Sequence, residues 1–346
     1  MTRPALSVPG TEERRRFPMP TLSARFGDLA RRHPWAVFCG RRAVRLTVLL
    51  LLVVTASFAM IRLVPGDPVR AALGVDAPPD LVAAKRRELG LDRELTAQYW
   101  WYLRRLAHGD LGVSLVTGEP VAELIRSRLP ATLRLAVLAF ACVLTVALPG
   151  GMLAGVLTRG GRRPRTELTL TATTSVVAGV PDFVLAAGLT AGLAVGLRAF
   201  PVAGDLGPQS YVLPVLALAL APTAVLLRIV RVETLRVLTA DHVRAARAKR
   251  LPAATLYLRH VAPNALTASL TIAGSLLPAL IAGTVLVEKV FAWPGIGSAM
   301  AQSVVAQDYA VVEASVLVLG SAVLVANFLV DLALALLDPR SVIRET

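Results

Sequence analysis

Six apolar runs, each long enough to cross a lipid bilayer, constrain this chain more than any other feature of its sequence. A helix needs roughly 20 residues to cross a hydrocarbon core about 30 Å thick. With 55% of its 346 residues hydrophobic and 17% charged, the chain is too apolar for one soluble core. We therefore expect an all-α, polytopic membrane helical bundle with six transmembrane helices. The runs lie at about 44–64, 133–157, 168–197, 211–230, 266–287 and 311–337.

The N-terminal region precedes the first run and is strongly basic. Residues 1–42 are rich in arginine and proline and have little periodic apolar content, so we expect a disordered cytoplasmic tail. The first transmembrane helix then lies at 43–64. A cleaved signal peptide, with a small-x-small site at Ser57-Phe58-Ala59, is the competing interpretation. The long charged region and the five later runs disfavour it.

The polar region at 65–132 is too long for a simple turn and contains helical patterns of its own. One of these, at about 94–106, repeats apolar residues at helical spacing and carries Trp100 and Trp101, residues typical of the membrane interface. We expect a small extracytoplasmic helical subdomain here. It is followed by a five-helix core at 133–340 and a cytoplasmic tail at 341–346.

The distribution of basic residues sets the expected orientation. Four arginines lie between the second and third runs and a basic segment lies between the fourth and fifth, while the loops at 198–210 and 288–310 carry only Arg198 and Lys289. Under the positive-inside rule both termini are cytoplasmic. In a soluble protein, the net charge of +14 would suggest nucleic acid as a binding partner. Here the arginines lie beside apolar runs, so we expect them to set the membrane topology and to contact anionic lipid, and we expect no nucleic acid partner.

The segment at 239–265 is the basic segment between the fourth and fifth runs. Asp241 is expected to cap a short helix, and Pro252 to break it or to start another. Alanines in this helix leave little side-chain bulk, so another protein could approach its backbone between basic side chains. From composition alone, a loop that merely fixes topology is an equal alternative. The candidate contact residues are Asp241, Arg244, Ala245, Ala246, Arg247, Ala248, Lys249, Arg250 and Leu251.

Asp182, beside Pro181, is the most conspicuous charge within an apolar run. Burying it unpaired would cost at least a few kcal/mol, so it should face water or a partner. It either contacts a substrate amine on a translocation path or caps a helix that begins after Pro181. Nearby glycines repeat every four residues and predict a flat packing face. They are Gly188, Gly192 and Gly196.

Between the last two runs, a Pro-Gly-x-Gly sequence with aromatic neighbours predicts a tight re-entrant turn. Its candidate residues are Glu288, Trp293, Pro294, Gly295 and Gly297.

Several of these segments resemble one known family. Asp241-His-Val-Arg-Ala-Ala-Arg-Ala-Lys, followed by Leu251, Arg259-His260 and Asn264-Ala265-Leu266, resembles the cytoplasmic "EAA" loop of ABC importer permeases of the dipeptide/oligopeptide type. The outer segment from Glu288 to Gly297 and the chain's end resemble the same family, in collinear blocks from about 43 to 340. The family usually has glycine where this chain has Arg250. Glycine permits a left-handed turn at no steric cost, whereas arginine makes that turn strained or absent.

The resemblance implies a function and a set of partners. The short helix would be a coupling helix that sits in a groove of an ATPase subunit. The chain would work in a bacterial cell membrane with a second, homologous permease, two ATPase subunits that hold ATP and magnesium, and an extracytoplasmic solute-binding protein. The chain itself would hold neither cofactor nor metal.

The motifs that the sequence lacks agree with this expectation. The sequence contains no G-x-x-x-x-G-K-[ST] phosphate loop, no H-E-x-x-H and no G-x-S-x-G, so neither ATP binding nor hydrolytic chemistry is expected on this chain. The resemblance implies that it is a permease and not an enzyme, with peptides as its cargo. The alternative is a secondary transporter, or another autonomous membrane protein, that uses Asp182. It is disfavoured because no second acidic or histidine residue occurs at a similar depth.

Overall fold

The computed structural model consists of helices joined by turns over the residues that it describes. Those residues are 34–63, 69–70, 77–88, 90, 92–161 and 163–337. Within them there is no β-strand, and one isolated bridge joins Val113 to Pro120. The predicted all-α fold is confirmed. The helices are α1 (Pro34–Leu63), α2 (Pro79–Glu88), α3 (Leu95–Ala107), α4 (Val121–Leu157), α5 (Pro164–Gly179), α6 (Asp182–Gly196), α7 (Val212–Leu238), α8 (Asp241–Ala248), α9 (Ala253–Gly274), α10 (Leu276–Val290), α11 (Ile296–Val305) and α12 (Tyr309–Leu337).

Four of these helices are long and apolar enough to cross a membrane, namely α1, α4, α7 and α12. Two further pairs reach that length only as bent units. The pair α5 and α6 is bent by 101°, and the pair α9 and α10 by 41°. The described helices therefore supply four spans, or six if each bent pair crosses as one, and the six-span arrangement stays a prediction.

Two helices begin earlier than their apolar runs. Helix α1 starts at Pro34, inside the region predicted to be a disordered tail; the remainder of that tail lies outside the described residues. Helix α4 starts at Val121 instead of near residue 133 and continues through Pro130. Pro130 has no backbone N–H to donate, which weakens a helix at that point. Val121 and Ile125 are buried against the bundle, and this packing keeps the segment before Pro130 helical.

The most extensive contact between two helices joins α4 to α7. Every fourth residue of α4 from Ala131 to Gly155 is buried, which makes a ridge along one side of the helix. At the end of this ridge glycine replaces the side chain. A Cβ built on Gly151 would lie 2.5 Å from the Cβ of Val230, and one on Gly155 would lie 2.8 Å from the Cβ of Thr234. The two helices therefore meet backbone against side chain, with no room for another carbon.

We expect Gly151→Ala to destabilise the chain by about 1–3 kcal/mol, because the added carbon forces α4 and α7 apart. The measurement is the Tm of the purified chain in detergent. Gly188→Ala in α6 is the matched control, since a Cβ there meets no atom within 4 Å while the gain in helix propensity is the same. Equal changes in Tm for the two variants would contradict the close crossing.

The predicted helix at 94–106 is observed as α3, which packs across α1. The ring of Phe58 lies with its centroid 5.0 Å from that of Tyr99 and 5.6 Å from that of Tyr102, and Thr55 Oγ1 lies 2.8 Å from the Tyr99 hydroxyl. Trp100 points away from this contact and is 72% exposed. The aromatic ring contacts thus attach the small region before α4 to the first long helix.

The chain leaves α3 through a polar turn held by Arg105. Its guanidinium lies over the ring of Trp101, 4.5 Å from the centroid, and forms two hydrogen bonds to the carboxylate of Asp110, at 2.8 and 3.0 Å. These bonds lower the pKa of Asp110 below its ordinary value. The turn therefore keeps its charge pair at any pH near neutral.

Candidate functional site

Helix α8 follows α7 after only two intervening residues. Its N-cap is Ala240, so the prediction that Asp241 caps the helix is wrong: Asp241 is the first helical residue. Its carboxylate is 97% exposed and lies 3.6 Å from a guanidinium nitrogen of Arg244. An acidic residue in a first turn still interacts favourably with the helix dipole, but it accepts no capping hydrogen bond here.

One face of α8 belongs to the core of the chain itself. Val243 is 0% exposed and Ala246 is 6% exposed, and both pack in a cluster with the end of α7 and the start of α9. Leu251 packs on the same cluster. Ala246 was predicted to admit a partner; its side chain instead faces inward, because Val243 and Ala246 are three residues apart and share one helix face.

The opposite face of α8 is open. Ala245 and Ala248 are exposed together with Arg244, while Arg247 is half-buried at the edge of the helix. Lys249 follows and is also exposed. The result is a surface with small side chains along its middle and positive charge around it.

The chain turns sharply after α8 at Arg250. This residue has a φ of +54°, in the left-handed region that favours glycine, and its N–H donates to the carbonyl of Arg247 at 2.9 Å. Pro252 is the N-cap of α9, which agrees with the prediction that it breaks one helix or starts another. The left-handed turn at this position is therefore kept with arginine in place of glycine.

Arg250→Gly is expected to raise the free energy of unfolding by about 0.5–1 kcal/mol. The left-handed conformation costs a residue with a Cβ about 1–2 kcal/mol, and glycine avoids this cost. Glycine also loses more conformational entropy on folding, which offsets part of the gain. The Tm in detergent should rise accordingly. Arg250→Ala, which removes the charge and keeps the Cβ, should leave the Tm unchanged.

The control Arg244→Gly, inside α8 at ordinary helical angles, should lower the Tm. If Arg250→Gly lowered the Tm as much as Arg244→Gly does, the turn would carry no backbone strain.

A second candidate site lies where α5 and α6 meet. Helix α5 ends at Gly179, Val180 and Pro181 are extended, and α6 begins at Asp182. The predicted break at Pro181 is therefore observed, but Asp182 is not the cap, since Pro181 holds that position and Asp182 makes no capping hydrogen bond. A Cβ built on Gly283 of α10 would lie 3.6 Å from Asp182 Oδ2. The half-buried carboxylate thus faces a gap in the side chains of α10.

The predicted glycine face of α6 makes few contacts within the described chain. A Cβ on Gly188 or Gly192 would meet no atom within 4 Å, and the helix widens to π-helical geometry over Thr190–Gly196. The close packing expected of this face is not made to another helix of the same chain.

The third candidate group surrounds the carboxylate of Glu288. This side chain is fully buried, and the N–H of Ser298 donates to Oε2 at 3.1 Å. A Cβ on Gly295 would collide with the carboxylate, and one on Gly297 would lie 2.9 Å from Oε2 and 2.5 Å from the Cα of Val285. Both glycines are therefore required by the close approach of Glu288, which the sequence alone did not indicate.

The same turn is attached to two other helices. Trp293, 1% exposed, makes an edge-to-face contact with Tyr211, with ring centroids 4.6 Å apart. The N–H of Ile296 donates to Thr132 Oγ1 of α4 at 2.9 Å. Sequence reasoning did not find Thr132, whose signal was only a polar residue at the head of an apolar run. The predicted outer turn is thus assembled with Glu288, Trp293, Gly295 and Gly297 in one place.

The turn around Glu288 and helix α8 lie at opposite ends of α7. Tyr211, which contacts Trp293, directly precedes α7, and α8 follows its other end. A helix of 27 residues is about 40 Å long. The two predicted motifs are therefore separated by about the thickness of a membrane.

Comparison with known sequences settles the family. The model for the inner membrane component of binding-protein-dependent transport systems matches residues 124–342, which include α5 to α12. The model for the N-terminal part of the membrane component of the same systems matches residues 36–136. The chain belongs to the family of binding-protein-dependent transport system inner membrane components. The predicted identity, a permease subunit of an ABC importer, is confirmed.

The relatives of this permease agree along nearly their whole length. A protein of Brucella suis biovar 1, named as a peptide transport system permease protein, is 35% identical over 87% of the permease and 97% of the relative. The glutathione transport system permease protein of Escherichia coli O6:H1 is 33% identical over 86% and 96%, and that of Pectobacterium atrosepticum is 35% identical over 86% and 96%. In the crystal structure of an amino acid ABC transporter with histidines, one chain matches with a TM-score of 0.45 and 19% identity, over 63% of the permease and 94% of that chain.

Membership in this family places the permease in a membrane as the transport component of an ABC system. The alternative of an autonomous secondary transporter is set aside by that assignment. Among the described residues, no group of three or more histidine, cysteine, aspartate or glutamate side chains is arranged to hold a metal ion.

Proposed function

We propose that this permease imports peptides and that an ATPase subunit drives it through the exposed face of α8. The observation that carries the proposal is the division of α8 into an inner face, Val243 and Ala246, and an outer face that the chain leaves open. A helix that served only to fix topology would need no such attachment to the core.

The chemistry of the outer face suits a protein partner. Ala245 and Ala248 allow close approach of another backbone, and Arg244 and Lys249 beside them favour a groove with acidic side chains. ATP and magnesium are held by the partner in this proposal, and one such ATPase docks on each of two permeases. The second permease is a homologue of this chain.

The inner face of α8 connects the docking surface to the bundle. Val243 and Ala246 contact both the end of α7, at Leu238, and the start of α9, at Leu256 and Val261. A displacement of α8 therefore acts on α7 and α9 together. Binding of nucleotide in the ATPase would favour one of two packings of these helices, because a ligand shifts an equilibrium by its difference in affinity for the two states.

The proposed orientation follows from the separation of the two motifs. Helix α8 and both termini lie in the cytoplasm of a bacterial cell, and the turn around Glu288, about 40 Å away along α7, lies outside. An extracytoplasmic solute-binding protein would deliver the substrate on that outer side.

The proposed substrates are short peptides with a free amino terminus. Of the relatives described above, one is named for peptide transport and two for glutathione transport. Asp182, at the break between α5 and α6, offers a carboxylate beside the gap at Gly283. A carboxylate at such a position pairs with a substrate amine at the break in the bundle.

Ala245→Trp is expected to abolish co-purification of the ATPase subunits and to lower ATP-driven uptake at least tenfold, because indole prevents close approach to α8. The Tm of the chain should stay unchanged, as Ala245 is exposed. The matched control is Ala97→Trp, at an exposed alanine of α3, which should affect neither property. Full assembly and uptake by Ala245→Trp would contradict the docking role.

Ala246→Trp separates docking from folding. This residue is buried in the chain's own core, so the variant should lower the Tm before any partner is added.

Asp182→Asn is expected to reduce uptake of a dipeptide with a free amino terminus by about tenfold, because it removes about one charge-assisted hydrogen bond. Uptake of the N-acetylated dipeptide, which has no amine to pair, should be unchanged. The measurement is uptake of both labelled dipeptides by the reconstituted complex. An equal loss for the two dipeptides would assign Asp182 a structural role instead.

A further inference from the structure

A groove of about 310 Å³ runs between the first and the last long helix, away from the sites described above. Arg42, Arg45 and Asp331 line one part of it, and Leu46, Leu49 and Phe328 line another. Helices α1 and α12 are antiparallel here, since Arg42 pairs with Asp331 and Ser57 Oγ donates to the carbonyl of Glu313. The polar residues of both helices therefore lie at the same end of the groove.

At the polar end of the groove, one arginine has no acidic partner among the residues that the structure describes. Arg42 forms an ion pair with Asp331 and lies over the ring of Phe38, 5.3 Å from its centroid. Arg45 is exposed, and within the described part of the chain it has no acidic partner. Two arginines and one aspartate at the groove mouth leave a site that favours an anion.

The depth of the groove places this charge at the membrane surface. After Arg45, the residues from 46 to 61 contain no charged side chain, and 16 helical residues span about 24 Å. Arg45 thus lies at the edge of the hydrocarbon, where an arginine side chain reaches the lipid phosphates. The apolar part of the groove extends from there into the hydrocarbon.

We propose that this groove binds one anionic phospholipid, with its phosphate on Arg45 and one acyl chain along Leu46, Leu49 and Phe328. A basic pocket between membrane helices, open to the lipid, is suited to such a headgroup. The chain's own N-terminal segment is the less suitable occupant, because residues 1–33 contain seven arginines against three acidic residues and would be repelled by Arg45. A zwitterionic lipid lacks the net charge that the mouth of the groove selects.

The test uses the full-length permease, purified with its complex and delipidated in detergent. Palmitoyl-oleoyl phosphatidylglycerol is titrated in, with the phosphatidylethanolamine of the same acyl chains as reference, and bound lipid is counted by native mass spectrometry. We expect one phosphatidylglycerol per permease to be retained in preference. Arg45→Gln should weaken its binding about fivefold, the effect of one arginine near an anionic headgroup.

Two further variants make the result specific. Arg165→Gln removes an exposed arginine from the first turn of α5, outside the groove, and should leave binding unchanged. Leu49→Trp should fill the apolar part of the groove and also weaken binding of phosphatidylglycerol, although the charge at the mouth is kept. Arg45 and Leu49 are both exposed at their outer side, so the lipid-free Tm of either variant should match that of the unaltered chain.

Several results would overturn the proposal. Equal binding of phosphatidylglycerol by Arg45→Gln and the unaltered chain would exclude Arg45 as the headgroup site. Competition by millimolar inorganic phosphate, together with no effect of Leu49→Trp, would show an anion site without an acyl chain. Absence of bound lipid, with a change in permease stoichiometry in Arg45→Gln, would show that a second permease covers the groove.

Discussion

The arrangement of this permease depends on the contact between α4 and α7, where glycine lets one helix backbone lie against the side chains of the other. Gly151 and Gly155 receive Val230 and Thr234 at distances that exclude any further carbon. Each pair of atoms in contact contributes only a small dispersion energy, but close contact along a long ridge sums many of them into a large stabilisation. Because α7 carries Tyr211 before its first residue and α8 after its last, this contact also fixes where the two ends of the molecule stand relative to α4.

The continuous helices and the broken ones differ in what they can do. Helices α4 and α7 run without interruption over 37 and 27 residues, even though each contains an internal proline. The two bent pairs surround them, with breaks at Pro181 and at Ser275. A change of packing is easier at a break, where fewer backbone hydrogen bonds must be given up, than inside a continuous helix. In the proposed mechanism, a displacement of α8 therefore moves the continuous helices as rigid bodies. The change in packing occurs in the bent pairs.

The sequence predicted which segments are helical more accurately than it predicted where each helix begins or which face of it is buried. Apolar length alone identified the long helices, since a continuous apolar run of about 20 residues satisfies its backbone hydrogen bonds within one segment only as a helix. It missed the start of α4, because packing of Val121 and Ile125 extends that helix through arginines and a proline that a composition argument excludes. It also missed the start of α1, where Phe38 is buried against Ala335 of α12. The choice between Ala245 and Ala246 as the open face needed the position of the neighbouring core. At Arg250 the sequence left open whether the left-handed turn is strained or absent, and the structure has it with a φ of +54°.

Helix α10 carries Glu288 and lies against Asp182 of α6 at Gly283. Glu288, near its C-terminal end, is enclosed by Gly295, Gly297 and the N–H of Ser298, so that this end is held in one geometry. Gly283 lies five residues earlier, about 7.5 Å along the helix, and a Cβ built on it would lie 3.6 Å from Asp182 Oδ2. A buried side chain that is enclosed this closely resists movement, because displacing it would break the hydrogen bond from Ser298 and leave a cavity. A change in the distance between Asp182 and Gly283 is therefore easier by movement of α6, which begins at a break in the chain's helices, than by movement of α10, whose C-terminal end is enclosed.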